Sequence, residues 1–226
     1  MTLAHGRGPL SANPAGRFSA PLPDDLAYVE PHRRRVIARR NGEVVLDTED
    51  VLMVHRRGQP LAYAFRADAL DGLPNEAEPL ADGYARVPWD AVDEWFEEGR
   101  KLVAYPPNPY HRVDCRPTQR RLRVTVGGEL LVDTDDTLIL FETGLAPKLY
   151  VAPPHVRTDL LQPSDTVTYC NYKGYTRYWS YVNGTTRVDD IAWTYDEPLP
   201  ESQLIKGMFS FEPANATVDA EVPDGH

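Results

Sequence analysis

The chain resembles itself, and that limits its possible folds more than any other property. Residues 36–58 (VIARRNGEVVLDTEDVLMVHRRG) align without a gap on residues 122–144 (LRVTVGGELLVDTDDTLILFETG) at an offset of 86. Gly42, Glu43, Asp47, Thr48, Asp50, Leu52 and Gly58 are matched by Gly128, Glu129, Asp133, Thr134, Asp136, Leu138 and Gly144. Two related units are therefore expected. A second match, at a larger offset, sets Tyr105-Pro106 and Val113-Asp114 against Phe211-Glu212-Pro213 and Val218-Asp219. It makes the second unit the longer one and puts the additional length between Leu160 and Ile191. The expected organisation is a flexible N-terminal segment over 1–30, a first and degenerate repeat over 31–116, a second, full-length repeat over 117–220, and a tail over 221–226.

Each unit opens with a β-branched and aliphatic run, a turn at Asn41-Gly42 or Gly127-Gly128, and a second run, which is the sequence form of a two-residue hairpin. Asp-Thr-x-Asp then turns the chain into a third run, Val51 to His55 or Thr137 to Phe141. Asn183-Gly184 reads as a further hairpin turn. The expected fold is mostly β. One helix is expected over Pro88 to Glu98, in the first unit: Pro stands at the first helical position, Val92, Trp95 and Phe96 share one face, acidic residues share the other, and Gly99 stops it. The four prolines of Pro106 to Pro117 exclude a helix or a central strand there, leaving an extended connector, with the domain boundary near Arg116.

Charge excludes one large class of partner. The 226 residues carry 24 basic and 34 acidic side chains, a formal charge of -10, whereas a nucleic-acid binder needs a basic field. No apolar window is long enough to span a membrane, and Pro and Gly interrupt the first thirty residues where a secretory signal needs an unbroken apolar core. A cytoplasmic protein is expected, with Cys115 and Cys170 as free thiols. Asp133, Asp135 and Asp136 read as a turn repeated from Asp47, Glu49 and Asp50 rather than as a metal site. Arg33, Arg34, Arg35, Arg39 and Arg40 read as a charged edge that discourages sheet association. No phosphate loop and no cofactor motif is present.

Seven of twelve tyrosines and two of four tryptophans fall between Tyr150 and Tyr195. Val, Ile and Leu fill a β core at lower cost, because each buried Tyr must find a partner for its hydroxyl. That crowding fits an aromatic-lined pocket, or rings packed across a strand pair. Within it lies Tyr169-Cys170-Asn171-Tyr172-Lys173-Gly174, a thiol and an ammonium three residues apart on a turn, a spacing that can raise the thiolate fraction. The alternative is a small buried cysteine beside a solvated lysine. No histidine lies within ten residues of Cys170.

These residues also carry a resemblance. Leu140-Phe141-Glu142-Thr143-Gly144, Lys148-Leu149-Tyr150, Val156 to Leu161, Pro163-Ser164-Asp165-Thr166, Tyr169 to Gly174, Tyr178-Trp179 and Ala192-Trp193-x-Tyr195 resemble the bacterial family catalogued as domain of unknown function 427. Trp89-Asp90-Ala91-Val92-Asp93-x-Trp95 and Asn108 to Asp114 resemble the first copy of its two-copy members. The resemblance implies a β-tent-like fold, two antiparallel sheets pinned at one edge and open at the other, whose relatives hold ligands in an aromatic cage or a zinc ion at the apex. The zinc cysteine pairs are missing here. The family carries a provisional nucleotidyltransferase label, but the carboxylate pair that such metal chemistry needs is not found. Tyr105-Pro106-Pro107 stands in place of a His-Pro-Arg triplet.

The expected function is a small-molecule or peptide binding module with its pocket in the second repeat, lined by Arg157, Tyr169, Lys173, Tyr178 and Trp179 and holding no metal. One alternative is an enzyme, a transferase or hydrolase, with Cys170 as nucleophile, Lys173 or Arg157 stabilising an anion and Glu142 as acid or base. Another is that the aromatic patch is a homodimer interface.

Overall fold

A computed structural model describes residues 6–223 of the chain. The fold is mostly β, with several antiparallel sheets and only short helical turns. The chain divides into two compact units, 1–111 and 112–226.

The first unit comprises β1 (Ala27–Pro31), β2 (Val36–Arg40), β3 (Glu43–Thr48), β4 (Val51–Arg56), β5 (Ala62–Arg66), β6 (Glu76–Ala77), β7 (Tyr84–Arg86), β8 (Glu94–Glu97) and β9 (Arg100–Leu102). They form two sheets, ordered β1-β4-β5-β7-β6 and β3-β2-β8-β9. Asn41 and Gly42 both take positive φ, 54° and 80°, the conformation that a tight two-residue hairpin demands. The core packs Trp95 against Phe65 and Trp89, with ring centroids 5.9 and 5.4 Å apart.

The second unit comprises β10 (Val113–Thr118), β11 (Leu122–Val126), β12 (Glu129–Thr134), β13 (Thr137–Glu142), β14 (Lys148–Tyr150), β15 (Leu161–Cys170), β16 (Gly174–Asn183), β17 (Thr186–Thr194), β18 (Ser210–Phe211) and β19 (Thr217–Ala220). Its sheets are ordered β10-β13-β14, β12-β11-β19 and β15-β16-β17-β18. Strand alternation splits β13 and β14 between two cores. Ile139 and Leu149 join Val124, Leu131, Tyr181 and Phe209, while Leu138, Leu140 and Tyr150 join Val113, Tyr195 and Ile205.

Strand pairings recur between the units at a constant offset of 86. Pro31↔Leu52 matches Pro117↔Leu138, Val36↔Thr48 matches Leu122↔Thr134, and Leu52↔Ala64 matches Leu138↔Tyr150. The bulge between Ala38 and Arg39 returns between Val124 and Thr125. The bidentate pair of Arg35 with Asp47 (2.7 and 2.6 Å) returns as Arg121 with Asp133 (2.9 and 3.0 Å). Thr48 Oγ1 accepts from the Asp50 amide as Thr134 Oγ1 does from Asp136, so the turn is repeated as expected, with threonine hydroxyls rather than the acidic side chains as its local caps.

Several expectations are corrected. Pro88 to Glu98 is not a helix but a 3-10 turn, Trp89–Ala91, followed by β8. The acidic face that suggested a helix contains Glu97, which is buried: its side chain is 3% exposed and accepts from His32 Nε2 at 2.8 Å, from Tyr63 Oη at 2.7 Å and from Arg34. With those partners, Trp95 and Glu97 alternate inward and the period is that of a strand. The arginine run is not an edge, because β2 lies between β3 and β8. Four of its five members are engaged, Arg34 by Glu97, Arg35 by Asp47, Arg39 over the Phe96 ring at 5.1 Å and Arg40 by the Gly72 carbonyl. The two units divide at 111/112, and the last part of the proline-bearing segment is β10, an edge strand that opens the second unit. The larger-offset match fails: β19 pairs with β11 as β8 pairs with β2, so Val218 stands opposite Val124 where Trp95 stands opposite Ala38. The third hairpin turns one residue later than expected, at Gly184-Thr185, because Asn183 is paired with Thr186. Of the N-terminal segment, residues 1–5 lie outside the described residues, as do 224–226 of the tail, and Ala27–Pro31 is β1.

Candidate functional site

The additional length of the second unit builds the three long strands β15, β16 and β17. On β16 successive side chains face opposite ways. Thr176 and Tyr178 face a cavity of about 340 Å³, which Thr168 and Cys170 on β15, Trp193 on β17 and Tyr195 beyond it also line. Leu140 and Glu142 of β13, Leu145, Ala146, Lys148, Tyr150, Lys173 and Glu212 complete the wall. Asn171 to Lys173 make the turn between β15 and β16. Gly174 has φ +97°, and a Cβ there would come within 3.2 Å of the Glu197 carbonyl oxygen, so glycine is what lets the turn dock.

The floor of the cavity is an ion pair between Lys173 and Glu142, whose side chains are 10% and 5% exposed. Burial alone would push the Lys173 ammonium down, but Cys170 and Glu142 beside it hold it above the ordinary lysine range. Above it stand two buried phenols. Tyr150 accepts from Trp193 Nε1 at 3.1 Å, and burial pushes its hydroxyl well up. Burial likewise pushes Tyr195 up to about 12, against the opposing pull of Lys173 and of its hydrogen bond with Thr176. Both therefore remain neutral donors at physiological pH. Lys148 Nζ lies 5.5 Å from the centroid of the Trp193 ring, within reach of a cation–π attraction.

Of the residues singled out in the sequence, Glu142, Cys170, Lys173 and Tyr178 meet in this cavity. Arg157, Tyr169 and Trp179 do not line it. Arg157 lies beside the 3-10 turn Thr158–Leu160 and is paired with Asp159 at 2.7 Å. Tyr169 points to the other face of β15, where its ring meets Tyr175 edge-on at 4.7 Å. Trp179 packs on Phe209 at 5.4 Å and donates to Thr194 Oγ1 at 3.0 Å. Period two along β16 separates Tyr178 from Trp179, and that signal was present in the sequence. Both cysteines are free thiols. Cys115 is half-buried, and burial raises its thiol above the ordinary range.

At the same offset of 86, Glu142 corresponds to Arg56. Arg56 also forms a pair, part-buried and of opposite polarity, with Glu78, whose side chain is 0% exposed (2.8 and 2.9 Å) and which Arg86 Nε approaches at 3.2 Å. Lys148 and Tyr150, by contrast, correspond to Ala62 and Ala64. The first unit carries its own cavity of about 290 Å³, lined by Tyr63, Trp89, Trp95 and prolines 60, 88 and 106. Among the described residues no group of three or more His, Cys, Asp or Glu side chains is arranged to hold a metal ion, and no helix is long and apolar enough to cross a membrane.

A family model described as a domain of unknown function, DUF427, matches residues 114–224, which lie within the second unit and contain every residue of the cavity wall. No curated protein matches the chain.

Proposed function

We propose that the second unit is a binding module for a small molecule, with the cavity above the Glu142–Lys173 pair as its site. The observation that carries this reading is the convergence of Tyr150, Tyr178, Trp193 and Tyr195 with a desolvated ion pair on one cavity. Taking two charges out of water is costly, and a well-packed apolar pair of similar volume would often be as stable or more so. Concave, largely apolar surfaces with a few convergent polar groups are where small ligands bind. The expected fold around it is the β-tent arrangement that the resemblance implies. The two units are read as tandem copies, the first of them structural, and the recurrent strand register supports this.

A thermal-shift screen of metabolites on the full chain supplies a ligand. Trp193→Ala should then weaken its affinity by about 1–3 kcal/mol, the scale of a buried aromatic contact at a binding site, while Trp179→Ala should change affinity little once loss of stability is allowed for. Unchanged affinity in Trp193→Ala would sink the assignment. A second reading, catalysis with Cys170 as nucleophile, is favoured by the thiol lining the same cavity near the Lys173 ammonium. Under it Cys170→Ser abolishes turnover with binding retained; under the binding reading that substitution leaves affinity nearly unchanged.

A further inference from the structure

Four charged side chains line the cavity of the second unit: Glu142, Lys148, Lys173 and Glu212. Glu142 and Lys173 neutralise each other. Lys148 and Glu212 form no ion pair among the described residues: the Lys148 ammonium sits against the face of Trp193, and Glu212 Oε1 accepts the Ala214 amide at 3.3 Å. The antiparallel bridge between Val151 and Phe209 joins the segments that carry Lys148 and Glu212. The fold does not require Lys148. At the equivalent position of the first unit Ala62 keeps the same strand register, and Ala64 does so at the position of Tyr150.

A cavity with aromatic walls, lined also by one cation and one carboxylate that form no ion pair among the described residues, is complementary to a ligand bearing both signs. A monovalent acid would pair with Lys148 and leave Glu212 without a counter-charge, and an amine would do the reverse. Lys148 and Glu212 are both half-buried, so each singly charged ligand forgoes one charge-assisted hydrogen bond that a ligand of both signs makes. The volume, about 340 Å³, is near the lower end of the usual range for ligand pockets, about 300–1,000 Å³, and suits one amino acid better than a peptide. We propose that the cavity takes a zwitterionic, free amino acid with a planar aromatic side chain, its carboxylate on Lys148, its ammonium on Glu212 and its ring among Tyr150, Tyr178 and Trp193. This rests on the reading of the cavity as a binding site and adds the class of ligand.

The test is calorimetric titration of the full chain with four probes that share one ring: L-tryptophan, indole-3-propionate without the ammonium, tryptamine without the carboxylate, and 3-methylindole with neither charge. L-Tryptophan should bind at least about tenfold more tightly than each of the others, the scale of one additional charge-assisted hydrogen bond. Lys148→Met should abolish its advantage over tryptamine and leave tryptamine itself unaffected, and Glu212→Gln should abolish its advantage over indole-3-propionate. If 3-methylindole binds, loses affinity in Trp193→Ala and equals L-tryptophan in strength, the zwitterion assignment is overturned while the binding site stands. If no probe binds, or if Lys148→Met and Glu212→Gln weaken all four alike, the assignment is overturned as well. Binding of 3-methylindole that ignores Trp193→Ala overturns the site itself.

Discussion

Replacing Glu97 by Gln in the first unit isolates the contribution of one buried charge to folding. Its carboxylate is desolvated, which by itself would raise its pKa, but hydrogen bonds from His32, Tyr63 and Arg34 more than offset that and hold it down to about 2, against an ordinary value of 4.5. A carboxyl group whose folded pKa is depressed stabilises the fold above its unfolded pKa and loses that contribution as pH falls toward the folded value. A separation of about 2.5 units at 1.36 kcal/mol each corresponds to about 3 kcal/mol near neutral pH. Less than half of it should persist near pH 3, and almost none near pH 1 to 2. Glu97→Gln keeps the shape, puts an amide NH₂ in place of one of the two accepting oxygens and removes the titration. Urea unfolding of wild type and variant, followed by tryptophan fluorescence, should therefore show a stability difference of about 3 kcal/mol near pH 7 that narrows through the acid range. Hydrogen exchange at β2 and β8 localises the loss. A difference that stays constant from neutral pH to pH 3 would refute the reasoning, since it would mean that shape or hydrogen-bond count, not charge, is what Glu97 supplies.

Lys173→Met leaves the Glu142 carboxylate buried without its partner and should cost about 3–5 kcal/mol in equilibrium unfolding; the double variant with Glu142→Leu should recover much of the loss, and no recovery would deny the coupling. Gly174→Ala forces an L side chain into a left-handed conformation beside the Glu197 carbonyl and should cost about 1–3 kcal/mol, read as a shift in the urea midpoint. Titration of denatured, unreduced protein should find both thiols free, and in the native state Cys115 should be alkylated far more slowly than an exposed thiol near pH 8, because burial raises its pKa; rapid modification would contradict its environment. Arg121→Ala, in an exposed pair, should leave the melting temperature where it was.

How far the sequence revealed this fold can be followed residue by residue. Asn41-Gly42 and Gly127-Gly128 marked their hairpins because two consecutive positive φ values admit few other residues. The offset of 86 carried over into strand pairing because register is set by turn length and by which face is buried. Where the reading failed, tertiary partners had reversed a local preference. Glu97 looks solvated until His32, Arg34 and Tyr63 surround it, and with it the apparent helix becomes β8. Arg39 and Arg40 look like edge residues until Phe96 and the Gly72 carbonyl occupy them. In the candidate site, Cys170, Lys173 and Tyr178 were legible as a crowded aromatic turn, and alternation along β16 was enough to separate Tyr178 from Trp179. Lys148 and Glu212 were not legible as site residues: nothing local links them, and only the Val151–Phe209 bridge brings their segments together. The pair of Arg56 with Glu78 in one unit and of Glu142 with Lys173 in the other also escapes a search for matched residues, because Arg56 and Glu142 are equivalent positions of opposite charge and their partners do not align at the offset of 86.

The most direct test of the binding site is crystallographic, with the full chain soaked in a set of small aromatic fragments, 3-methylindole and L-tryptophan among them. Ordered ligand density bounded by Tyr150, Tyr178 and Trp193 above the Glu142–Lys173 pair is the predicted result. Fragments that recur elsewhere, for instance against Trp89 and Trp95 in the first unit, with the cavity of the second unit never occupied, would contradict it.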